Sequence, residues 1–163
     1  MTTLFCEQQR FTQWWFWLLV GGLSLGAWVS AYVQLVAGTP VGNKPASDGM
    51  MLALWVGVGV LFPLFFYSCK LMVEVYPGVL RYRFAPFHLR WHEIPAESLA
   101  EATAVTYRPL RDYGGWGIRY SSQGKAYNVR GNRGVRVCLT SGQTILFGSQ
   151  RAEELASALQ TMG

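Results

Sequence analysis

Charge is the first thing this sequence lacks. Residues 1–69 carry only Glu7, Arg10, Lys44 and Asp48, and Lys, Arg, Asp and Glu make up 14% of all 163 residues, against about 25% in soluble domains. A chain soluble throughout does not fit that deficit. Histidine is nearly absent too. His88 and His92 stand four apart, but Pro86, Trp91 and Pro95 argue against a helix there, and no Glu follows His88 as in a metalloprotease. We expect no metal. The three cysteines, Cys6, Cys69 and Cys138, are odd in number and widely spaced, which excludes a disulfide framework. Cys6 and Cys69 flank the apolar part, so a bridge between them is conceivable. Free thiols in a reducing compartment are the simpler reading. No Ser/His/Asp or Cys/His arrangement is visible, nor a Gly-x-Gly-x-x-Gly or Walker-type lysine. The expectation is a protein that is not an enzyme and uses no cofactor.

Apolar length fills the space left by charge. About 14–37 is a run of 24 residues without a formal charge, opening on Trp14, Trp15, Phe16 and Trp17. About 20 residues span a bilayer core, and a cleaved signal sequence wants a shorter core and a basic start. The reading is a retained transmembrane helix with its tryptophans at headgroup depth. Residues 38–49 form a Gly- and Pro-containing loop, and about 50–70 form a second span interrupted by Pro63. So short a loop makes the pair an antiparallel hairpin, with 1–71 as one domain. Small residues recur at helical spacing as Gly22, Gly26 and Ser30 in the first span and Ala53 and Gly57 in the second. Such rows allow close helix approach, either within the hairpin or against a larger complex.

Arg10 precedes the first span and Lys70, Arg81, Arg83 and Arg90 follow the second, while the loop holds only Lys44. Positive residues stay inside, so both termini and the C-terminal domain are expected to be cytoplasmic. All of the net charge of +5 lies in residues 70–163. A basic domain tethered to a bilayer points to anionic phospholipid or an acidic protein surface, and not to nucleic acid.

From Leu71 the pattern becomes short alternating runs broken by turns. Expected strands are 71–76, 79–84, 89–93, 102–107, 116–121, 125–130, 134–140 and 143–147. Glu93, Glu97 and Glu101 read as a short solvated helical face. A last helix covers about 150–161, with Ser149 as N-cap and Glu153 and Glu154 in its early turns. Seven or eight antiparallel strands closed by one helix is the plan of a pleckstrin-homology-like (PH-like) barrel or sandwich over 72–163.

The densest stretch is Tyr107–Ile118, with two arginines, an aspartate, aromatics and glycines. Arg108, Arg111 and Arg119 would gather round an anion. Alternatively the glycines only permit a turn, with Asp112 pairing a neighbouring Arg and Trp116 entering the core. A third reading is a partner surface, since Arg, Tyr and Trp are enriched in interface hot spots. A second basic turn, Gly131–Gly134, brings Arg130 and Arg133. The candidate partner or anion contacts are therefore Arg108, Arg111, Tyr113, Trp116, Arg119, Arg130 and Arg133.

Tyr107-Arg108-Pro109-Leu110, Gly114-Gly115-Trp116-Gly117-Ile118-Arg119, Gly131-x-Arg133-Gly134-Val135 and Phe147-Gly148-Ser149-Gln150-Arg151 resemble motifs of small bacterial two-span membrane proteins. Those carry a bacterial PH-like domain after the hairpin. The resemblance covers the C-terminal half by residues and the hairpin by layout. It implies the fold and the bacterial inner membrane, and brings no catalytic residues with it. Together these readings point to an interaction or assembly subunit among other membrane protein subunits, in contact with membrane lipid. The alternative is a sensor of anionic phospholipid headgroups.

Overall fold

A computed structural model describes residues 3–163. They divide into two compact units, one running to Arg10 and resuming at Cys69–Gly163, the other Phe11–Ser68. The second unit is an inserted pair of helices, α1 (Trp14–Val36) and α2 (Asp48–Ser68), both long and apolar enough to cross a membrane.

Within the helical unit, α1 and α2 meet along a face that includes Val20, Ser24, Ala31, Gln34, Met51 and Gly59, all buried. Pro63 lacks an N–H, so the carbonyl four residues earlier, Gly59, loses its helical donor. The turns just before it, Trp55–Leu61, widen to π geometry, and the Trp28 indole N–H donates to the Gly59 carbonyl at 3.1 Å. Ser24 Oγ donates to the adjacent Val58 carbonyl at 3.2 Å. In an apolar surrounding such freed carbonyls need a neighbour's donor. Gly59 also makes room, since a Cβ there would lie 3.1 Å from the Trp55 ring and 3.3 Å from the Trp28 ring. Trp28 and Trp55 cross edge to face at 4.9 Å.

The small-residue row therefore does not hold the helices together. Gly22, Gly26 and Gly57 have nothing within 4 Å of a built Cβ; Gly22, Gly26 and Ala53 are exposed, and Ser30 and Gly57 half-buried. The close approach is at Gly59, where Pro63 forces the wide turn.

The β unit holds two sheets. The first has the order β1-β2-β3-β4, with β1 Phe5–Arg10, β2 Lys70–Tyr76, β3 Val79–Ala85 and β4 His92–Pro95. The second has the order β5-β8-β9-β7-β6, with β5 Leu99–Thr106, β6 Gly117–Ser121, β7 Gly124–Asn128, β8 Arg133–Leu139 and β9 Thr144–Gly148. The barrel expected from the sequence is not closed: β5 and β6 are both edges. Nor is the second sheet wholly antiparallel, because β9 inserts between β8 and β7 and runs parallel to β7. The alternation that suggested strands reports which face is buried, not which neighbour a strand takes.

Leu71, Val73 and Val75 of β2 alternate inward with Leu80, Tyr82 and Phe84 of β3. Leu155 and Leu159 of the last helix, α4 (Ala152–Thr161), are buried with Val135 and Val137 of β8. Between β5 and β6 lies a short helix, α3 (Pro109–Tyr113). The regular stretch Glu93, Glu97, Glu101 is not helical; Glu93 lies in β4, Glu97 in a single 3₁₀ turn and Glu101 in β5.

The first strand has no counterpart in the sequence reading, which set 1–71 apart as the hairpin. β1 pairs along β2 from Phe5↔Val75 to Arg10↔Lys70. It is fastened to the turn before α4 as well. The Glu7 carboxylate accepts from Ser149 Oγ at 2.5 Å and from the Gln150 N–H at 3.0 Å. Buried Gln9 donates to the Gly148 carbonyl at 2.6 Å, and the Arg151 guanidinium lies 4.6 Å over the Phe5 ring. Ser149, buried, accepts from the Arg151 N–H at 3.0 Å, but the N-cap expected at Ser149 falls at Arg151, whose side chain makes no capping bond. Cys6, Cys69 and Cys138 are free thiols.

Candidate functional site

Tyr107–Ile118 folds as a braced corner. Pro109 opens α3, where its missing N–H costs nothing. The Asp112 carboxylate reaches back to accept the Arg108 backbone N–H at 2.8 Å; this bond replaces the expected pairing with an arginine side chain. Gly114 closes the helix at φ 69° and Gly115 follows at φ 126°, a pair of left-handed residues that strongly favours glycine. Their N–H groups donate to the Leu110 and Pro109 carbonyls at 3.1 and 2.8 Å, so they are spent on the turn and not offered to a phosphate.

The aromatic anchor is Tyr113, with Tyr107. Both are buried, their rings cross at 5.8 Å, and they share a cluster with Ala126 and Leu146. Burial pushes the Tyr107 phenol up to about 12 and raises Tyr113 also, with Arg136 pulling the other way. Trp116, half-buried, donates to the Gly131 carbonyl at 3.1 Å and ties this corner to the second basic turn. Arg119 Nε donates to the Trp116 carbonyl at 2.9 Å.

With the frame so held, Arg108, Leu110 and Arg111 face outward. Leu110 is 70% exposed and Tyr120 on β6 is 74% exposed. Arg108 and Arg111 line a shallow pocket of about 500 Å³ with Thr106, Asp112, Ser122 and Gln123. The other candidates lie apart from it. Arg133 pairs with Glu153, and the Arg130 carbonyl accepts from the Gln150 side chain at 3.3 Å. The seven predicted contacts thus separate into an outward pair, Arg108 and Arg111, an internal anchor, Tyr113, and braces.

Sequence reasoning missed a second cluster. Tyr82 of β3 pairs in register with His92 of β4, and their rings stack at 5.2 Å. His88 lies 4.3 Å from His92 and 5.4 Å from Tyr127 between ring centres. Lys125 Nζ stands over the Tyr120 and Tyr127 rings at 5.1 and 4.8 Å. His88 Nδ1 accepts the Phe84 N–H at 3.3 Å, which fixes the neutral imidazole. Burial first, then His92 and Lys125, lowers its pKa. Burial raises the Tyr82 phenol, and Tyr127 adds to the shift. Among the described residues no group of three or more His, Cys, Asp or Glu is placed to hold a metal. His88 and His92 are a local pair, but Tyr82 comes beside them through the β3–β4 pairing, and Tyr127 and Lys125 come from the other sheet, so no local motif signals the whole cluster.

The sequence model of the family of unknown function DUF6141 matches residues 2–162. The chain belongs to that family. The match runs through β1, both long helices and the β unit, so the inserted hairpin and the interrupted sheet are one family unit. A search of curated proteins finds no match.

Proposed function

We propose that this chain is a non-enzymatic integral membrane protein of the bacterial inner membrane. In this reading α1 and α2 cross as a hairpin with both termini cytoplasmic, and the β unit serves as a PH-like interaction or assembly subunit of a membrane protein complex. The observation that carries it is the α3 corner. Asp112, Tyr107, Tyr113 and the paired glycines hold a rigid frame, from which Arg108, Leu110 and Arg111 project. A rigid apolar residue between two arginines, with an exposed tyrosine on the nearby edge strand, has the composition of an interface centre. Gly22 and Gly26, exposed one turn apart on α1 and left over from hairpin packing, give a second face for neighbouring spans.

The test is extraction in mild detergent from native membrane, followed by particle mass. We expect a complex larger than the chain, reduced to the lone chain by Leu110→Glu with Arg111→Glu. A lone monomer in the unaltered protein would sink the proposal. The pocket shared by Arg108, Arg111, Ser122 and Gln123 supports a second reading, capture of an anionic phospholipid headgroup. Binding of the full chain's β unit to headgroup-bearing bicelles should then weaken with salt and with Arg111→Glu. Insensitivity to both would remove it.

A further inference from the structure

The first sheet has two unlike ends. At one, β2 and β3 turn through Pro77-Gly78. At the other, Arg10, Lys70 and Ala85 stand side by side across three strands, about 20 Å away for a seven-residue strand. This second end is where the chain runs on into the two apolar helices. Residues 11–13 alone separate β1 from α1, and Cys69 alone separates α2 from β2. At no more than about 3.5 Å per residue, neither connection lets this end move far from a helix terminus.

The same end carries the β3–β4 loop, Pro86–Trp91. Its tip is the most exposed large apolar side chain among the described residues, Leu89 at 84%, with Phe87 at 58%. The loop is not slack. The His88 N–H donates to the Phe84 carbonyl at 2.8 Å, the Phe84 N–H donates back to His88 Nδ1 at 3.3 Å, and Arg83 Nε donates to the His88 carbonyl at 3.0 Å. A braced loop thus holds apolar side chains out to solvent, where transfer to an apolar surrounding would be favourable. Arg10, Lys70, Arg83 and Arg90 lie at this end, and residues 75–92 contain no carboxylate.

We infer that the Pro86–Trp91 loop is an interfacial membrane anchor. Leu89 and Phe87 enter the headgroup–acyl boundary of the leaflet that the two helices leave, and the surrounding cations engage anionic headgroups. The inference rests on reading α1 and α2 as spans. It commits to lipid because the covalent connections keep this end near a helix terminus and because the basic collar complements an anionic surface.

The experiment uses the full chain in nanodiscs containing phosphatidylglycerol, with a doxyl spin label high on a fraction of the acyl chains. Amide signals of Phe87–Arg90 should be attenuated severalfold more than that of Gly78 at the opposite end. Leu89→Glu should remove the excess attenuation while the signals of Leu23 and Val56 in the helices stay quenched. Quenching of Leu23 and Val56 with none at Phe87–Arg90 beyond that at Gly78 would overturn the anchor and leave the spans standing. No quenching at Leu23 or Val56 would remove the span reading, and the anchor with it.

Discussion

The two units bury the same residue types in opposite ways. In the helical unit Leu18, Leu19, Leu23, Leu25 and Val29 point outward, between 51% and 66% exposed. In the β unit Leu71, Val75, Leu80, Val135, Leu146 and Leu155 are fully enclosed. Backbone hydrogen bonding explains why both are stable designs. A helix satisfies its own N–H and C=O groups, so its apolar side chains are free to face an apolar solvent. A strand depends on partners far along the chain, and β1 reaches sixty residues on to β2. Polar side chains follow the same division. In the helical unit Ser24 and Trp28 serve the carbonyls left by Pro63 and Gln34 ties the first helix to the loop and the start of the second; in the β unit Glu7 and Gln9 tie the first strand to the turn before the last helix.

The largest expected break in this comparison comes from truncating an equivalent leucine in each unit. Leu155→Ala removes a side chain with no exposure from between α4 and the sheets, and should cost the β unit about 3 kcal/mol. Leu23→Ala, at a position 51% exposed, should change the helix pair by less than about 0.5 kcal/mol. Hydrogen exchange of β8 and β9 amides in solubilised full chain reads the first, and exchange in α1 the second. Equal effects would mean that outward leucines of α1 are packed against something.

How much of this was legible follows the same line. Uninterrupted apolar length located both long helices to within a few residues, and Val135, Val137 and Leu139 marked a strand by alternation. The C-terminal helix was readable from Leu155, Leu159 and the flanking acids. What escaped was non-local. Phe5–Arg10 carries two glutamines, a glutamate and an arginine, so its strand character comes from β2 and from Ser149, not from its own pattern. The parallel placement of β9 beside β7 and the stacking of Tyr82 on His92 depend on pairing that alternation does not specify. At the α3 corner Asp112 and Gly115 are spent on its own backbone, a use that composition does not separate from anion binding. Gly57 satisfied the small-residue spacing, yet Gly59 is the contact, because Pro63 displaces the helix register through a wide turn.

That displacement supplies a smaller test, confined to the helical unit. Trp28→Phe keeps a ring against Trp55 and deletes the donor to Gly59 O, for an expected loss of about 0.6 kcal/mol, typical of such bonds between helices in membranes. In a Pro63→Ala background residue 63 regains an N–H for that carbonyl, and the same Trp28→Phe change should then cost close to nothing. The coupling read from the double-mutant cycle decides the point. Strict additivity would show that Trp28 is held by packing alone and that the Gly59 carbonyl is satisfied elsewhere.

The smallest effect expected belongs to the β unit and concerns His88, a loop residue whose pKa is depressed. Burial, His92 and Lys125 all lower it, so the folded state holds the neutral ring that accepts the Phe84 N–H, while the unfolded chain titrates near about 6.5. Below that value the unfolded state binds a proton that the folded state refuses. The His88 contribution is therefore complete above about pH 6.5, is lost as pH falls toward the folded pKa, and levels off beneath it. Carboxylates lose stability on acidification as well, so the decisive quantity is a difference. Between about pH 7.5 and about pH 5.5, a window around the unfolded histidine value, the urea midpoint of the β unit should fall further in the unaltered chain than in His88→Gln. Glutamine offers a carbonyl oxygen to the Phe84 N–H but takes no proton. Identical falls would mean that the ring is protonated without losing its place, and that Arg83 donating to the His88 carbonyl is enough to hold the loop.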